Sequence, residues 1–411
     1  MKHKTDLAYY LSFIILGLFP VAPFAIKPYL LAPLCLTSIY CLSNAKTSYV
    51  EWKKVVISSF LFGLFALGFF QSSDTDKAVE LLLRLSPFLL LPIAFSAVPS
   101  ADFLRFKSIF INTFISSCFV FCLLVIGYSL SLDSSDLPYI FSYLRDKFWG
   151  YEEHPIYISL YLGVSSILLI QSTLKTSLKY FIFIVFLFTL LFLSRKGNII
   201  SLVLVLLFTL IYNSNLFLNR TSLRLALITF SMVTLCVLLF NNFILERFSE
   251  LLDVGDFIYN TASSSGIRSI VWRSSVRLIL EAPITGYGLG DVQQSINAQL
   301  INDGYEQLTQ RINYDAPAYY NAHNQYLQLT LSSGFFGIAG FLIVLTYMLI
   351  TLKRNKDIVG LNVFIYIILC FMFESLLERQ NGIIMSAIFF NLFFSCAHQQ
   401  LNNKNEYSRT K

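Results

Sequence analysis

Leu178–Leu193 reads LKYFIFIVFLFTLLFL and Ile199–Tyr212 reads IISLVLVLLFTLIY, each with only one or two polar residues. Leu223–Phe240, LRLALITFSMVTLCVLLF, carries a single charge, Arg224, near its start. A helix that crosses a membrane needs about 20 mainly apolar residues, so each stretch is one crossing. The rest of the chain has the same character. Of its 411 residues 56% are hydrophobic, 16% aromatic and 13% charged, where a soluble domain carries roughly 25% charged residues. The first apolar run, Leu7–Phe24, follows Lys2 and Lys4 but has no small-residue cleavage site. It reads as a first transmembrane helix and not as a removable signal.

Working outward, the apolar pattern predicts an all-α polytopic membrane protein forming a single integral membrane domain over 1–411. Twelve spans are expected, at about 7–25, 28–44, 55–71, 79–98, 108–131, 155–171, 178–193, 197–213, 222–243, 334–352, 359–377 and 382–398. Short loops rich in Lys and Arg stay in the cytoplasm. With the N-terminus inside, the inside segments hold Lys2 and Lys4; Lys46, Lys53 and Lys54; Arg105 and Lys107; Lys175 and Lys179; Arg220 and Arg224; Lys353, Arg354 and Lys356; and Lys404, Arg409 and Lys411. Both termini are therefore expected in the cytoplasm of a bacterial inner-membrane protein, with 399–411 as a polar cytoplasmic tail. The net charge of +6 follows this pattern and does not point to nucleic acid. Seven cysteines lie in apolar runs without a CxxC or a metal-type spacing, and read as small hydrophobes.

Two outside segments are long: 132–154, and a large loop at 244–333 that exceeds a mere connector. The large loop holds Arg247, Arg268, Arg273, Arg277 and Arg311, a tight outside turn holds Ser194-Arg195-Lys196-Gly197, and the last outside turn holds Glu378-Arg379. Basic residues on this face run against the orientation signal. Two readings fit Arg195 and Lys196. They snorkel to headgroup phosphates, or they form a fork for a phosphate ligand beside the free N–H groups of the helix that Gly197 opens. In the large loop a helix is expected over Gly266–Glu281, ended by Pro283. Ile267, Val271, Trp272, Val276, Leu278 and Ile279 form its apolar arc. Arg273 and Arg277 lie opposite, with Glu281 placed for an i, i+4 pair with Arg277. Arg268 falls inside the apolar arc, where a charge needs a partner or a wet cavity. It is a structural ion pair or a second phosphate clamp.

Four histidines remain. His3 and His398 sit at the cytoplasmic ends. His154, in His154-Pro155, stands at a capping position. His323 lies in Asn321-Ala322-His323-Asn324-Gln325-Tyr326, where the large loop re-enters the membrane. It is a hydrogen-bonded loop residue, or an imidazole of near-neutral pKa able to take a proton from a sugar hydroxyl. Gly286-Tyr287-Gly288-Leu289-Gly290 lacks the Walker lysine and the strand of a nucleotide site, and reads as a turn. Carboxylates within the spans are scarce, with Glu80 and Glu374 close to span ends. That scarcity, and the lack of internal inverted repeats, weighs against a proton-coupled transporter of lipid-linked glycan.

His323-Asn324, nine residues and then Gly334-Phe335-Phe336-Gly337 resembles the signature of bacterial O-antigen ligases. Arg268–Trp272, Pro283 and Gly286-Tyr287-Gly288 resemble the large periplasmic loop of the wider ligase and polymerase superfamily, and Glu378-Arg379-Gln380 with Gly382 is similar to its late-helix pattern. The resemblance covers about residues 150–400. It implies a GT-C-type membrane glycosyltransferase, inverting and metal-independent, without a cofactor or nucleotide sugar. Such a ligase moves a glycan from undecaprenyl diphosphate to a lipid A–core sugar at the periplasmic face. By this resemblance Arg195 and Arg268 bind the diphosphate and His323 activates the acceptor. Lys196, Arg273 and Arg379 are further anion contacts, and Asn324 and His154 complete the substrate-binding set. An O-antigen or capsule polymerase, or a protein O-oligosaccharyltransferase, fits the same donor with a different acceptor.

Overall fold

Apolar stretches fold as helices because lipid offers no water to backbone amides, and a helix pairs them internally. The computed structural model describes residues 2–44, 51–129, 153–170, 172–193, 195–212, 264–310 and 320–409, and every regular element among them is helical. The helices are α1 (Lys2–Gly17), α2 (Ala32–Asn44), α3 (Trp52–Leu67), α4 (Thr75–Arg84), α5 (Pro87–Ser96), α6 (Ser100–Ser129), α7 (Pro155–Leu168), α8 (Thr176–Leu193) and α9 (Lys196–Tyr212). After them come α10 (Ser264–Glu281), α11 (Val292–Asn302), α12 (Glu306–Thr309), α13 (Gln325–Arg354), α14 (Ile358–Cys370) and α15 (Gln380–Arg409). Five segments are long and apolar enough to cross a membrane: Phe24–Asn44, Thr75–Ser96, Ser100–Tyr128, Thr176–Leu193 and Gln325–Arg354. Shorter apolar helices include Pro155–Leu168, Lys196–Thr209, Ile358–Cys370 and Gln380–Phe394. The chain is a helical membrane protein. The expected span at 222–243, most of 132–154, and Arg220, Arg224, Arg247 and Arg311 lie outside the described residues.

Three expected elements take a different form. The span expected at 79–98 is two helices, α4 and α5, with Pro87 at the first position of the second, where its missing N–H costs nothing. The helix expected to begin at Gly334 begins at Gln325 instead. Residues 399–409, expected as a separate tail, continue α15.

Lipid tails are as apolar as leucine, so shape and polar ties decide helix packing in a membrane. Here α1 packs along α6, and α3 lies between α5 and α13. Phenylalanine rings fill the joints: Phe13 stacks on Phe106 at 5.6 Å and meets Phe95 edge-on at 5.9 Å. Two buried ion pairs add direction to this packing. At one end Lys107 pairs with Asp357 at 3.0 Å. At the other Lys27 pairs with Glu153, which also accepts from Tyr161 Oη at 2.9 Å and from Asn381 Nδ2 at 2.6 Å. Lys27 and Glu153 are fully enclosed, so removing one partner would strand a charge in a low dielectric.

The large loop has its own core, in which Ile270, Val271 and Leu278 of α10 meet Val292, Ile296 and Leu300 of α11. Leu331 of α13 belongs to the same cluster. The reason is a kink. At Gly334 the backbone of α13 turns to φ 64°, ψ −161°. An unbroken helix would pair Phe335 N–H with Leu331 C=O. Instead Phe335 N–H donates to Ile284 O at 2.8 Å, and Leu331 O accepts Tyr287 N–H at 2.7 Å. The loop turn replaces both halves of the broken bond. It can do so because Gly334 and Gly286 lack Cβ atoms: a Cβ on Gly334 would stand 2.0 Å from Ile284 O, and one on Gly286 2.6 Å from Leu331 O. A second seam joins the loop to the turn after α3, where Asp291 accepts from Ser73 N–H at 2.6 Å and Asp74 N–H at 3.1 Å.

Gly334→Ala should therefore lower the melting temperature of the purified protein and expose the loop to protease. The positive φ alone costs about 1–3 kcal/mol. Gly63→Ala, in α3 with open space around it, should leave both readouts unchanged.

Candidate functional site

The chain around His323 is held by side chains from three elements. Asn324 caps α13, its Oδ1 accepting from Tyr326 N–H at 3.0 Å and Leu327 N–H at 3.2 Å, as a helix N-cap does. Its Nδ2 donates to Met372 O at 3.1 Å and its backbone N–H to Ser375 Oγ at 3.1 Å. Ala322 N–H donates to Gln328 Oε1 at 2.9 Å, and Gln325 Oε1 accepts from Leu377 N–H at 2.7 Å. His323 itself sits at φ 45°, an uncommon conformation for a residue with a Cβ. Its backbone is fixed on both sides, N–H to Asn321 Oδ1 at 2.9 Å and C=O from Trp272 Nε1 at 3.3 Å. The imidazole is three-quarters covered, with 26% of its side chain exposed.

The residue that organises this corner is Glu374, just beyond α14. One carboxylate oxygen meets His323 Nδ1 at 3.0 Å and the other accepts from the Arg268 guanidinium at 3.2 Å. Arg268 and Trp272 are one turn apart on α10, so a single helix face supplies both the Glu374 contact and the His323 carbonyl contact. Burial pushes the Glu374 carboxyl up, but the hydrogen bond and charge of His323 and the Arg268 guanidinium outweigh it and hold the group below the ordinary range. An ionised carboxylate only accepts. Nδ1 therefore donates in that contact, and whenever the ring is neutral Nε2 is the nitrogen with the lone pair.

Other cations gather close by. His154 caps α7, its Nδ1 accepting from Ile156 N–H at 3.3 Å. Burial lowers its pKa to about 4, helped by Arg195, Arg379 and Arg268 and opposed by Glu374. The three arginines and the carboxylate thus share one electrostatic neighbourhood around a neutral ring. Arg195 immediately precedes α9, whose first N–H groups it starts by accepting from Asn198 and Ile199. Lys196 Nζ donates to Ser265 Oγ at 3.2 Å, tying the start of α9 to the start of α10. Asn198 Nδ2 in turn donates to Ile156 O at 2.9 Å. The turn 195–198 is thus braced against both α7 and α10.

His323, Arg268, Arg195, Arg379, His154 and Asn324 converge on this corner. Arg273, half-buried on α10, is not the arginine that pairs with Glu374. Two expectations about α10 change. Arg277 pairs with Asp303 at 2.5 Å and not with Glu281, because α11 ends against it. The buried face holds Ile270, Ser274 and Ser275 with Val271 and Leu278, while Val276 is exposed; α10 is packed by α11 and α13 rather than by one apolar wall.

Glu374 was passed over in the sequence because it stood alone at a span end, with its partners 51 and 106 residues away. A carboxylate at a span end, on the face expected to collect the unexplained cations, was the available signal. Gln328 gave none, since it acts through a backbone contact.

A search of curated proteins finds no match to this chain. A family model described as O-Antigen ligase matches residues 180–342. The match runs from within α8 through α9, α10, α11 and α12 into α13, with Arg195, Arg268, His323 and Gly334. Over residues 180–342 the chain is similar to the O-antigen ligase family.

Proposed function

We propose that this protein is an O-antigen ligase, transferring a glycan from undecaprenyl diphosphate to a lipid A–core sugar at the periplasmic face of the bacterial inner membrane. The observation that carries the reading is Glu374 bridging His323 Nδ1 and Arg268. It couples a base to a cation across the space where a sugar diphosphate would react. The Lys and Arg distribution supports the side of the membrane, with both termini in the cytoplasm.

In the proposed step the acceptor hydroxyl approaches Nε2 of His323. Its oxygen attacks the anomeric carbon as the proton passes to Nε2, and the bond from that carbon to the diphosphate oxygen breaks. Direct displacement inverts the anomeric centre. Glu374 fixes the ring tautomer and stabilises the imidazolium that forms, the role a carboxylate plays toward a catalytic histidine. The diphosphate leaves with its charge developing beside Arg268 and Arg195, which is electrostatic stabilisation by groups already in place. Arg268 donates one N–H to Glu374 and keeps donors of its five-donor fork for phosphate. Lys196, Arg379 and the Nε2–H of His154 extend the anion-binding rim.

The test uses purified protein in detergent with an undecaprenyl-diphosphate glycan and lipid A–core, and a gel for product. A ladder on lipid A–core that disappears with His323→Ala supports the ligase. Glu374→Gln should keep the fold and lower kcat by roughly 10²–10⁴-fold, the scale of general acid–base catalysis, with a smaller change in KM. Longer glycan that remains on the polyprenyl carrier would replace this reading with a polymerase.

The two loop arginines separate in the same assay. Arg268→Ala should abolish transfer, and Arg273→Ala should retain most of it. The reverse order would move the diphosphate to the other side of α10.

A further inference from the structure

One face of the large loop is apolar, exposed and continuous with the membrane surface of α13. Val276, Leu280 and Ile284 follow one another at four-residue steps down the end of α10 and past it. Leu280 is 81% exposed and Ile284 69%. Such exposure is unusual for large aliphatic side chains aligned in a row on a water-soluble surface. The other side of α10 is buried against α11, so the row is the side left over once the loop core has formed.

The depth of this row follows from α13. Beyond the kink at Gly334 its residues 335–354 span about 30 Å at 1.5 Å per residue, close to the hydrocarbon thickness of about 30 Å. The uninterrupted apolar run is 335–352, ended by Lys353 and Arg354, while 325–333 reads QYLQLTLSS. Phe335 and Phe336 therefore stand where hydrocarbon meets headgroups, and the polar start of α13 lies beyond the kink from the spanning run. Both rings are outward-facing, at 63% and 61% exposed. Below them Leu342, Ile343 and Ile350 continue the exposed apolar stripe of the spanning helix. Ile284 is fastened at the upper end of that stripe, because its carbonyl receives Phe335 N–H at 2.8 Å. Phe70, also exposed, lies in the turn whose Gly68 carbonyl accepts Leu289 N–H at 2.8 Å. Gly68 itself abuts Ser332 O, which sets that turn at the same level.

We infer that Val276, Leu280 and Ile284, with Phe70, Phe335 and Phe336, form a lipid-docking surface seated among the acyl chains of the leaflet on the side of the site. The occupant is bulk phospholipid hydrocarbon. Continuity with the lipid-facing stripe of α13 identifies it. The large loop is then not wholly in water: the end of α10 rests in the bilayer interface, as an amphipathic helix does. Arg268 is on the same helix, 12 residues, or about 18 Å, from Leu280. The bilayer therefore fixes the height at which the guanidinium stands above the leaflet.

The experiment places Leu280→Trp and, separately, Ile284→Trp in the full-length protein, reconstituted in vesicles of phosphatidylcholine brominated near the top of its acyl chains. No polyprenyl lipid is present. The emission added over wild type, which has its own three tryptophans, is measured against Phe336→Trp as the membrane reference. Both residues are exposed, and a melting temperature equal to wild type verifies the fold. The expected result is loss of the added emission to the extent seen for Phe336→Trp, with little quenching by aqueous acrylamide. Quenching by acrylamide and not by bromine would put the row in water and overturn the inference. Resistance to both quenchers would mean that protein covers it, a second copy included, and would also overturn it. Protection from acrylamide that appears only on adding a polyprenyl diphosphate would assign the surface to the donor tail instead of the bulk leaflet.

Discussion

The broken hydrogen bond of α13 holds the two halves of this protein in register. A spanning helix with one backbone pair opened in the membrane would lose several kcal/mol, since nothing in lipid replaces it. Here the amide and carbonyl freed at Gly334 are taken up one for one by Ile284 and Tyr287. The loop is thereby fixed to the bundle at a single height and rotation. Everything carried by α10 inherits that setting, including Arg268 and Trp272. Glu374 reaches the same corner from α14, and His323 from the residue before the N-cap of α13.

At that corner the carboxylate does two things that no other described group does together. It determines which imidazole nitrogen keeps its lone pair, and it neutralises part of a dense positive field. Burial leaves His154 neutral, and Arg195, Arg379 and Arg268 push it further the same way. A site so arranged is complementary to a spread negative charge and carries one acceptor nitrogen facing it. The left-handed backbone at His323 is part of this arrangement, because four side chains or carbonyls from neighbouring elements hold a conformation that the residue disfavours alone.

Much of this was readable in the residues, and the gaps have physical causes. Apolar runs such as Thr176–Leu193 declare themselves because lipid permits little else. The cations at 195 and 268 stood out because they opposed the charge asymmetry of the loops. His323 stood out as an imidazole at a membrane entry. What escaped were groups whose meaning is created by a distant partner. Glu374 looked like an ordinary span-end acid until the fold brought His323 and Arg268 to it. The extension of α13 above Gly334 escaped for another reason. Residues 325–333 are too polar to signal a span, yet remain helical because the loop core covers Leu331. Val276 was misplaced on the apolar arc because a helix gripped by two neighbours has no single buried face.

Lys27 has a consequence for the order in which the molecule comes into being. Its ammonium is synthesised 126 residues before the Glu153 carboxylate, and Asn381, which completes the cluster, follows 228 residues after that carboxylate. At 5–20 residues per second a ribosome needs roughly 6–25 s to bridge the first gap. Throughout that interval the first hairpin must keep a cation near the water-facing edge of the bilayer, since a lone charge is costly at depth. The turn that carries Lys27 is thus best kept at the membrane surface until Glu153 is made, and Asn381 of α15 completes the cluster.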